Sequence, residues 1–216
     1  MCNQMESHLV AAGLFPRHQS AYQKGHSTET ALVKVCADLM EQMDSGHHVL
    51  LALLDLSATF DAVDHSILME RLSRSFAICD GVLDWIRDYL SGRRFTVRFG
   101  GTESLPRDMQ YGVPQGSVLG PLLFVLYTAD LGGISAQYGV RSHFYADDSQ
   151  LHISSRPHEA ANAASQLVDC MEAMAQWMAS KRLKLNPAKT DFMRCATRRR
   201  QHQLSRKALM FGGATI

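Results

Sequence analysis

Two adjacent carboxylates, Asp147 and Asp148, sit in the word Tyr145-Ala146-Asp147-Asp148 between two strand-like runs. Like charges side by side repel and raise each other's pKa unless a cation or a partner offsets them. A divalent metal ion is the simplest offset. A third carboxylate, Asp55, ends the apolar run Val49-Leu50-Leu51-Ala52-Leu53-Leu54, which reads as a strand buried on both faces. If that strand lies beside the hairpin, three carboxylates converge. Hard oxygen ligands suit Mg²⁺ or Mn²⁺, and two such ions about 3.5–4 Å apart clamp the oxygens of an in-line phosphoryl transfer. Each piece also has a plainer use. Asp-Asp is ordinary chemistry at a hairpin turn, and an Asp after a strand serves equally as a helix N-cap or loop residue.

The elements that must position these groups follow from hydropathy patterning. A composition of 46% apolar and 20% charged residues over 216 positions is that of a globular chain able to bury a sizeable core, with one domain as the default. The longest apolar runs, of about six residues, are too short to span a bilayer. The N-terminus lacks the pattern of a secretion signal, so a cytosolic or nuclear setting without membrane contact is expected. Cys2, Cys36, Cys79, Cys170 and Cys195 form no CxxC pair, which argues against a disulfide framework or a zinc site. The net charge of +1 hides an uneven distribution: from Lys181 to Lys207 there are ten Lys or Arg residues against one acid, Asp191. That segment, with Arg198-Arg199-Arg200 in it, is either a solvated tail or a phosphate-backbone surface.

Along the chain, residues 5–12 form a short helix closed by Gly13, and Ser27 or Thr28 caps a second helix over 29–45. Ile67, Leu68, Leu72 and Phe76 make a third helix amphipathic. Val82, Leu83, Ile86, Tyr89 and Leu90 do the same for a fourth, ended by Ser91-Gly92. Residues 95–99 alternate as a strand turned by Gly100-Gly101. In the Gly- and Pro-rich stretch 111–120, Pro114 suits the second position of a turn and Gly116 its last, projecting Gln115 from a loop that leads into a helix over 121–130. Strands near 141–146 and 149–154 flank the Asp pair. A long helix over 157–180 carries Leu167, Met171, Met174 and Met178 along one side as core packing. Asn186-Pro187 breaks it before a last strand over 189–195. The alternation fits an α+β or α/β fold on a small, largely antiparallel sheet.

Four words now stand in order: Asp55-Leu56-Ser57-Ala58-Thr59-Phe60-Asp61, Gly112-Val113-Pro114-Gln115-Gly116-Ser117, Tyr145-Ala146-Asp147-Asp148 and Leu185-Asn186-Pro187-Ala188-Lys189-Thr190. Together they resemble the palm of reverse transcriptases, most closely those of non-LTR (LINE-type) retrotransposons, over roughly residues 5–195. The words Gln19-Ser20-Ala21-Tyr22 to Thr30 and Leu83-Asp84-Trp85-Ile86 are similar to that family as well. The resemblance implies an α+β polymerase palm, a ferredoxin-like antiparallel sheet with packed helices. Partial fingers would occupy 1–48, the palm 49–195 with a fingers insertion at about 66–110, and the start of a thumb or connection the basic segment 196–216.

By the same resemblance, Asp55 and Asp147 hold two Mg²⁺ ions (Mn²⁺ the alternative) with Asp148 assisting, and the partners are an RNA template, a DNA primer and deoxynucleoside triphosphates. Phe60 is implied as the ring that excludes a ribose 2′-hydroxyl, and Gln115 as a contact to the incoming nucleotide and template. Gly112 and Gly116 allow close backbone approach, Tyr145 packs near the primer terminus, and Lys189 donates a proton to pyrophosphate. Asp61 and Asp64 read as structural or capping carboxylates. The family's upstream basic fingers are not matched, and Gln23-Lys24 stands where many relatives carry Arg after the aromatic. The expectation is therefore a palm with partial fingers and no thumb. The competing readings are a retroelement remnant that binds nucleic acid without polymerising, and another palm enzyme such as an RNA-dependent RNA polymerase or nucleotidyl cyclase. Oligomeric state is not legible in the sequence.

Overall fold

The computed structural model of the chain describes residues 2–57, 59–204 and 208–215. Ala58 in the first word, and Arg206 and Lys207 in the basic segment, lie outside the described residues. In chain order the elements are α1 (Cys2–Ala11), α2 (Thr28–Asp44), β1 (His48–Leu54), β2 (Leu56–Ser57), α3 (His65–Phe76), α4 (Asp80–Leu90), β3 (Arg94–Phe95), β4 (Arg98–Phe99), β5 (Thr102–Glu103) and β6 (Arg107–Asp108). Then come α5 (Gly120–Tyr127), α6 (Leu131–Gln137), β7 (Arg141–Tyr145), β8 (Asp148–Ser155), α7 (Ala160–Ser180), β9 (Lys184–Leu185), β10 (Asp191–Cys195), β11 (Met210–Phe211) and β12 (Ala214–Thr215). No helix among the described residues is long and apolar enough to cross a membrane. All five cysteines are free thiols.

The chain divides into two compact units, residues 16–57 with 128–216 and residues 1–15 with 58–127. The first unit holds a four-stranded sheet in the order β10-β1-β8-β7, with every neighbouring pair antiparallel. Central β1 is buried over most of its length because helices cover both faces of the sheet. On one face Val49 and Leu51 pack with Val35 and Leu39 of α2, with Met43, Leu53 and Cys195 at the margin. Alternation along the strand turns Leu50, Ala52 and Leu54 the other way, where Leu50 lines a groove with Ala164 and Val168 of α7. The methionine side of α7 is core, as its spacing suggested: Leu167, Cys170, Met171, Met174 and Met178 are all buried.

Ser27 starts α2 with a capping box: its hydroxyl accepts from the Thr30 amide while the Thr30 hydroxyl accepts from the Ser27 amide. In the second unit Asp64 caps α3 by accepting from the Ile67 amide at 3.0 Å, in keeping with its reading as a capping carboxylate. Residues 95–99 do not form one strand. Gly100 and Gly101, both at positive φ, fold β4 onto β5, while β3 pairs separately with β6. The turn at Pro114 is also shifted by one residue from the expectation. The Ser117 amide donates to the Pro114 carbonyl at 3.2 Å, so Pro114 is the first residue of the turn and Gly116 the third, where φ is +74° and glycine is favoured.

His152 in β8 is 2% exposed, and among the described residues neither ring nitrogen has a hydrogen-bond partner. Burial lowers its pKa from 6.5, with Arg141, Lys34 and His143 adding to the effect and Asp38 opposing it. The folded protein thus holds the ring neutral while the unfolded chain takes up a proton near pH 6.5, so this contribution to stability is present above that pH and lost as the pH falls below it. Thermal unfolding followed from pH 7.5 to 5 is expected to show a falling Tm, and His152→Leu should flatten that fall. An unchanged slope in the variant would assign the acid sensitivity elsewhere.

Candidate active site

The sheet unit delivers Asp55, Asp147, Asp148, Tyr145 and Lys189. In the β1–β8 ladder Leu54 is opposite Ser149, so Asp55, the residue just after β1, comes level with Asp148 at the start of β8. The backbone at Asp55 is fixed on both sides: β1 is held between β8 and β10, and Leu56 pairs with Leu185 immediately after. The Asp55 carbonyl itself accepts from the Asn186 amide at 2.9 Å. Tyr145 and Asp148 close the β7–β8 hairpin, leaving Ala146 and Asp147 as its two-residue loop.

Asp55, Asp148 and Lys189 line one depression together with Leu53, Leu54, Ser149 and Gln150. Lys189 ends a short 3₁₀ turn, Pro187–Lys189, whose preceding residue Asn186 accepts from the Ala188 amide. Its ammonium lies 3.6 Å from Asp55 Oδ2. That oxygen is buried and, among the described residues, accepts no hydrogen bond. The Lys189 side chain is 69% exposed, so the ion pair is worth no more than about 1 kcal/mol. Burial, then Asp147, then Asp55 push the Asp148 carboxyl above the ordinary range. Tyr22 faces the same turn: burial, then Asp147 and Tyr145, raise its phenol.

Among the described residues no three His, Cys, Asp or Glu side chains are gathered as a finished metal-ligand cluster. Asp55, Asp147 and Asp148 are like charges that repel one another unless a cation offsets them. As a donor set they nonetheless fit a hard divalent cation, which takes carboxylate oxygens and would satisfy the orphan Asp55 oxygen while relieving the repulsion on Asp148.

The other unit holds Phe60, Gln115 and Gly116. Phe60 opens a short 3₁₀ turn, and its ring stacks on Phe124 of α5 with centroids 5.0 Å apart and planes at 30°. Here the first and second words cross. The Val113 amide donates to the Phe60 carbonyl and the Gly112 amide to the Val63 carbonyl, both at 2.8 Å. A Cβ on Gly112 would lie 3.0 Å from the Phe60 carbonyl oxygen and from Asp61 Cα, so glycine here lets the two words pack backbone to backbone. At Gly116 a Cβ would meet no protein atom, and the positive φ is what favours glycine there. Gln115 donates to the Asp61 carboxylate at 3.2 and 3.3 Å. Asp61 therefore has a defined partner that spacing could not reveal, 54 residues away in sequence.

A model of the family described as "Reverse transcriptase (RNA-dependent DNA polymerase)" matches residues 1–211. The chain belongs to the reverse transcriptase family. This reverse transcriptase domain is 34% identical over 196 residues to the probable RNA-directed DNA polymerase from transposon BS of Drosophila melanogaster, covering 88% of the chain and 21% of that protein. The corresponding protein of transposon X-element, also from Drosophila melanogaster, is 32% identical over 89% of the chain and 21% of its own length. The RNA-directed DNA polymerase from mobile element jockey of Drosophila funebris is 26% identical over 81% of the chain and 19% of its length. These relatives place the domain with LINE-type elements, and it spans about a fifth of their length.

Among solved structures, apo telomerase from Candida tropicalis, truncated from its C-terminal domain, superposes with a TM-score of 0.66 at 14% identity, covering 99% of the chain and 42% of telomerase. Candida albicans telomerase in complex with a fragment of telomeric RNA gives 0.63 at 13% identity, covering 99% and 35%. Likeness at such low identity establishes an α+β polymerase fold with an antiparallel sheet. Enzymes of the reverse transcriptase family generally use divalent metal ions.

Proposed function

We propose that this domain is the catalytic core of an RNA-directed DNA polymerase that adds deoxynucleotides to a primer 3′-hydroxyl on an RNA template by a two-metal mechanism. The sheet unit is read as the palm, its strand order β10-β1-β8-β7 matching a ferredoxin-like arrangement, within a palm of residues 49–195 that carries a fingers insertion at about 66–110. The observation that carries this reading is the register that brings Asp55 level with Asp148, next to Asp147, with a buried Asp55 oxygen that accepts no hydrogen bond among the described residues.

In this reading Asp55, Asp147 and Asp148 hold two Mg²⁺ ions. Bound divalent ions lower the pKa of the attacking hydroxyl and neutralise the leaving pyrophosphate. The chain's own residues do the rest. Lys189, an exposed lining residue of the depression 3.6 Å from Asp55, would serve as the proton donor to the departing pyrophosphate. Gln115, held by Asp61, orients the incoming nucleotide, and Tyr145 packs under the primer end. Arg198 and Arg199, both exposed, supply phosphate contacts. Arg200 contributes less, since its guanidinium donates to the Gly46 carbonyl.

The purified chain joined to its natural flanking sequence is expected to extend a DNA primer on an RNA template with Mg²⁺ and deoxynucleotides. Salt-dependent RNA binding without any extension would replace this reading with that of a binding remnant.

A further inference from the structure

Strand β7 is an edge of the sheet, and an edge leaves one row of backbone N–H and C=O groups unpaired. Residues 18–20 cover the first part of that row. The Phe144 amide donates to the His18 carbonyl at 2.8 Å and the Ser20 amide to the Phe144 carbonyl at 2.9 Å, a parallel bridge with Gln19 opposite Phe144. With a period of two, the next outward pair belongs to Ala146, the first residue of the carboxylate turn. Among the described residues no backbone reaches it. The Gln19 carboxamide does: its Oε1 accepts from the Ala146 amide at 3.0 Å and its Nε2 donates to the Ala146 carbonyl at 3.2 Å.

A carboxamide has the shape and polarity of a peptide group, so Gln19 continues the ladder one rung past the point where the main chain leaves it. The side chain is itself 5% exposed and held in place, with Oε1 also accepting from the Ala21 amide at 2.9 Å and the Gln19 carbonyl accepting from Gln23 Nε2. Only this orientation of the amide satisfies two N–H donors and one carbonyl at once. Beside it, Ser20 Oγ bonds His143 Nε2 at 2.7 Å and His143 Nδ1 bonds Gln150 Oε1 at 2.9 Å, tying the same segment to both strands of the hairpin.

The clamped residue needs holding. Ala146 has φ +55°, a left-handed conformation that costs a non-glycine residue about 1–2 kcal/mol. The residue that follows it is Asp147, so the angle at Ala146 sets the direction in which that carboxylate leaves the turn. We infer that Gln19 is a positioning residue: its side chain acts as a surrogate strand that locks the Ala146 turn and thereby aims Asp147 at the cation-binding face. The inference rests on the metal-binding reading of Asp55, Asp147 and Asp148.

Amide hydrogen exchange and Mn²⁺ binding, measured on the same folded chain, test the two separately. In the wild type the Ala146 amide should be protected. Gln19→Ala, and the shape-preserving Gln19→Met, should lose that protection while leaving Leu151 in the sheet core unchanged, and should weaken Mn²⁺ binding about tenfold, the usual loss when a group supporting a metal ligand is removed. Gln19→Glu, which keeps both acceptor bonds, should keep the Ala146 amide protected. Ala146→Gly introduced into Gln19→Met should restore most of the Mn²⁺ affinity, because glycine adopts the left-handed angle unaided. A merely structural role predicts otherwise: uniform loss of protection, or no rescue by glycine, overturns the proposal. A wild-type chain that binds no Mn²⁺ would overturn the metal reading, while the exchange data still decide whether Gln19 clamps the turn.

Discussion

Asp55→Asn and Asp147→Asn should each lower primer extension by at least about a thousandfold, the equivalent of several kcal/mol of transition-state charge stabilisation, with the fold intact. The fold should survive because the Asp55 side chain is a third exposed and pairs with a Lys189 that is mostly in solvent, and because Asp147 sits partly exposed in a two-residue loop. An amide in place of a carboxylate keeps the shape and removes the charge, so lost extension with unchanged thermal unfolding isolates the chemistry. Variants that extend primers at wild-type rates would refute the assignment of the two carboxylates.

Metal-free stability gives an independent handle on the same charges. Asp148 is pushed toward its protonated form by burial, by Asp147 and by Asp55, so at neutral pH its negative charge works against folding, and Asp148→Asn should raise Tm in the presence of a chelator. The residue's surface is exposed despite that burial contribution, and solvent screening keeps the gain below about 1 kcal/mol. Mg²⁺ should reverse the ranking by stabilising the wild type more than the variant. If neither Tm responds to Mg²⁺, the carboxylates do not share a cation.

What the sequence disclosed and what it hid divide along physical lines. Strand β1 was legible because a helix on each face makes it continuously apolar, and the β7–β8 hairpin because two alternating runs flank a short polar loop. The α2 start was legible from Ser27. Where propensity and structure disagree, the sequence misled. Helix α6 begins Leu131-Gly132-Gly133, two glycines that each cost about 1 kcal/mol in a helix, and only tertiary packing makes it helical. The ribbon over 94–108 has too few apolar positions to show which pairs form, and Gly100-Gly101 set the pairing instead. In the sheet unit, Asp55, Asp147 and Lys189 could be proposed from their words, but the Tyr22 phenol beside Asp147 and the Gln19 clamp could not, nor could the Gln115–Asp61 bond in the other unit; these join residues 54 to 127 positions apart. Contacts that remote leave no local pattern.

Phe60 is where ribonucleotide discrimination should be lost most sharply: Phe60→Val is expected to raise ribonucleotide incorporation relative to deoxynucleotide by about 10- to 200-fold, the range over which a pocket distinguishes substrates by a small group. Phe60 also stacks on Phe124, and such a ring pair contributes about 0.5–1.5 kcal/mol beyond the area it buries, so the variant should lose at least that much stability. The two effects separate cleanly. Phe60→Tyr retains the ring and its stacking, and should retain both stability and sugar selectivity. Phe124→Leu loses the stacking but leaves the Phe60 ring and its pinned backbone, where Val113 and Gly112 fix the chain on either side, and should destabilise without relaxing selectivity. If Phe60→Val only unfolds more readily, incorporating ribonucleotides no better than the wild type, then Phe60 is core packing and the sugar is read by another residue.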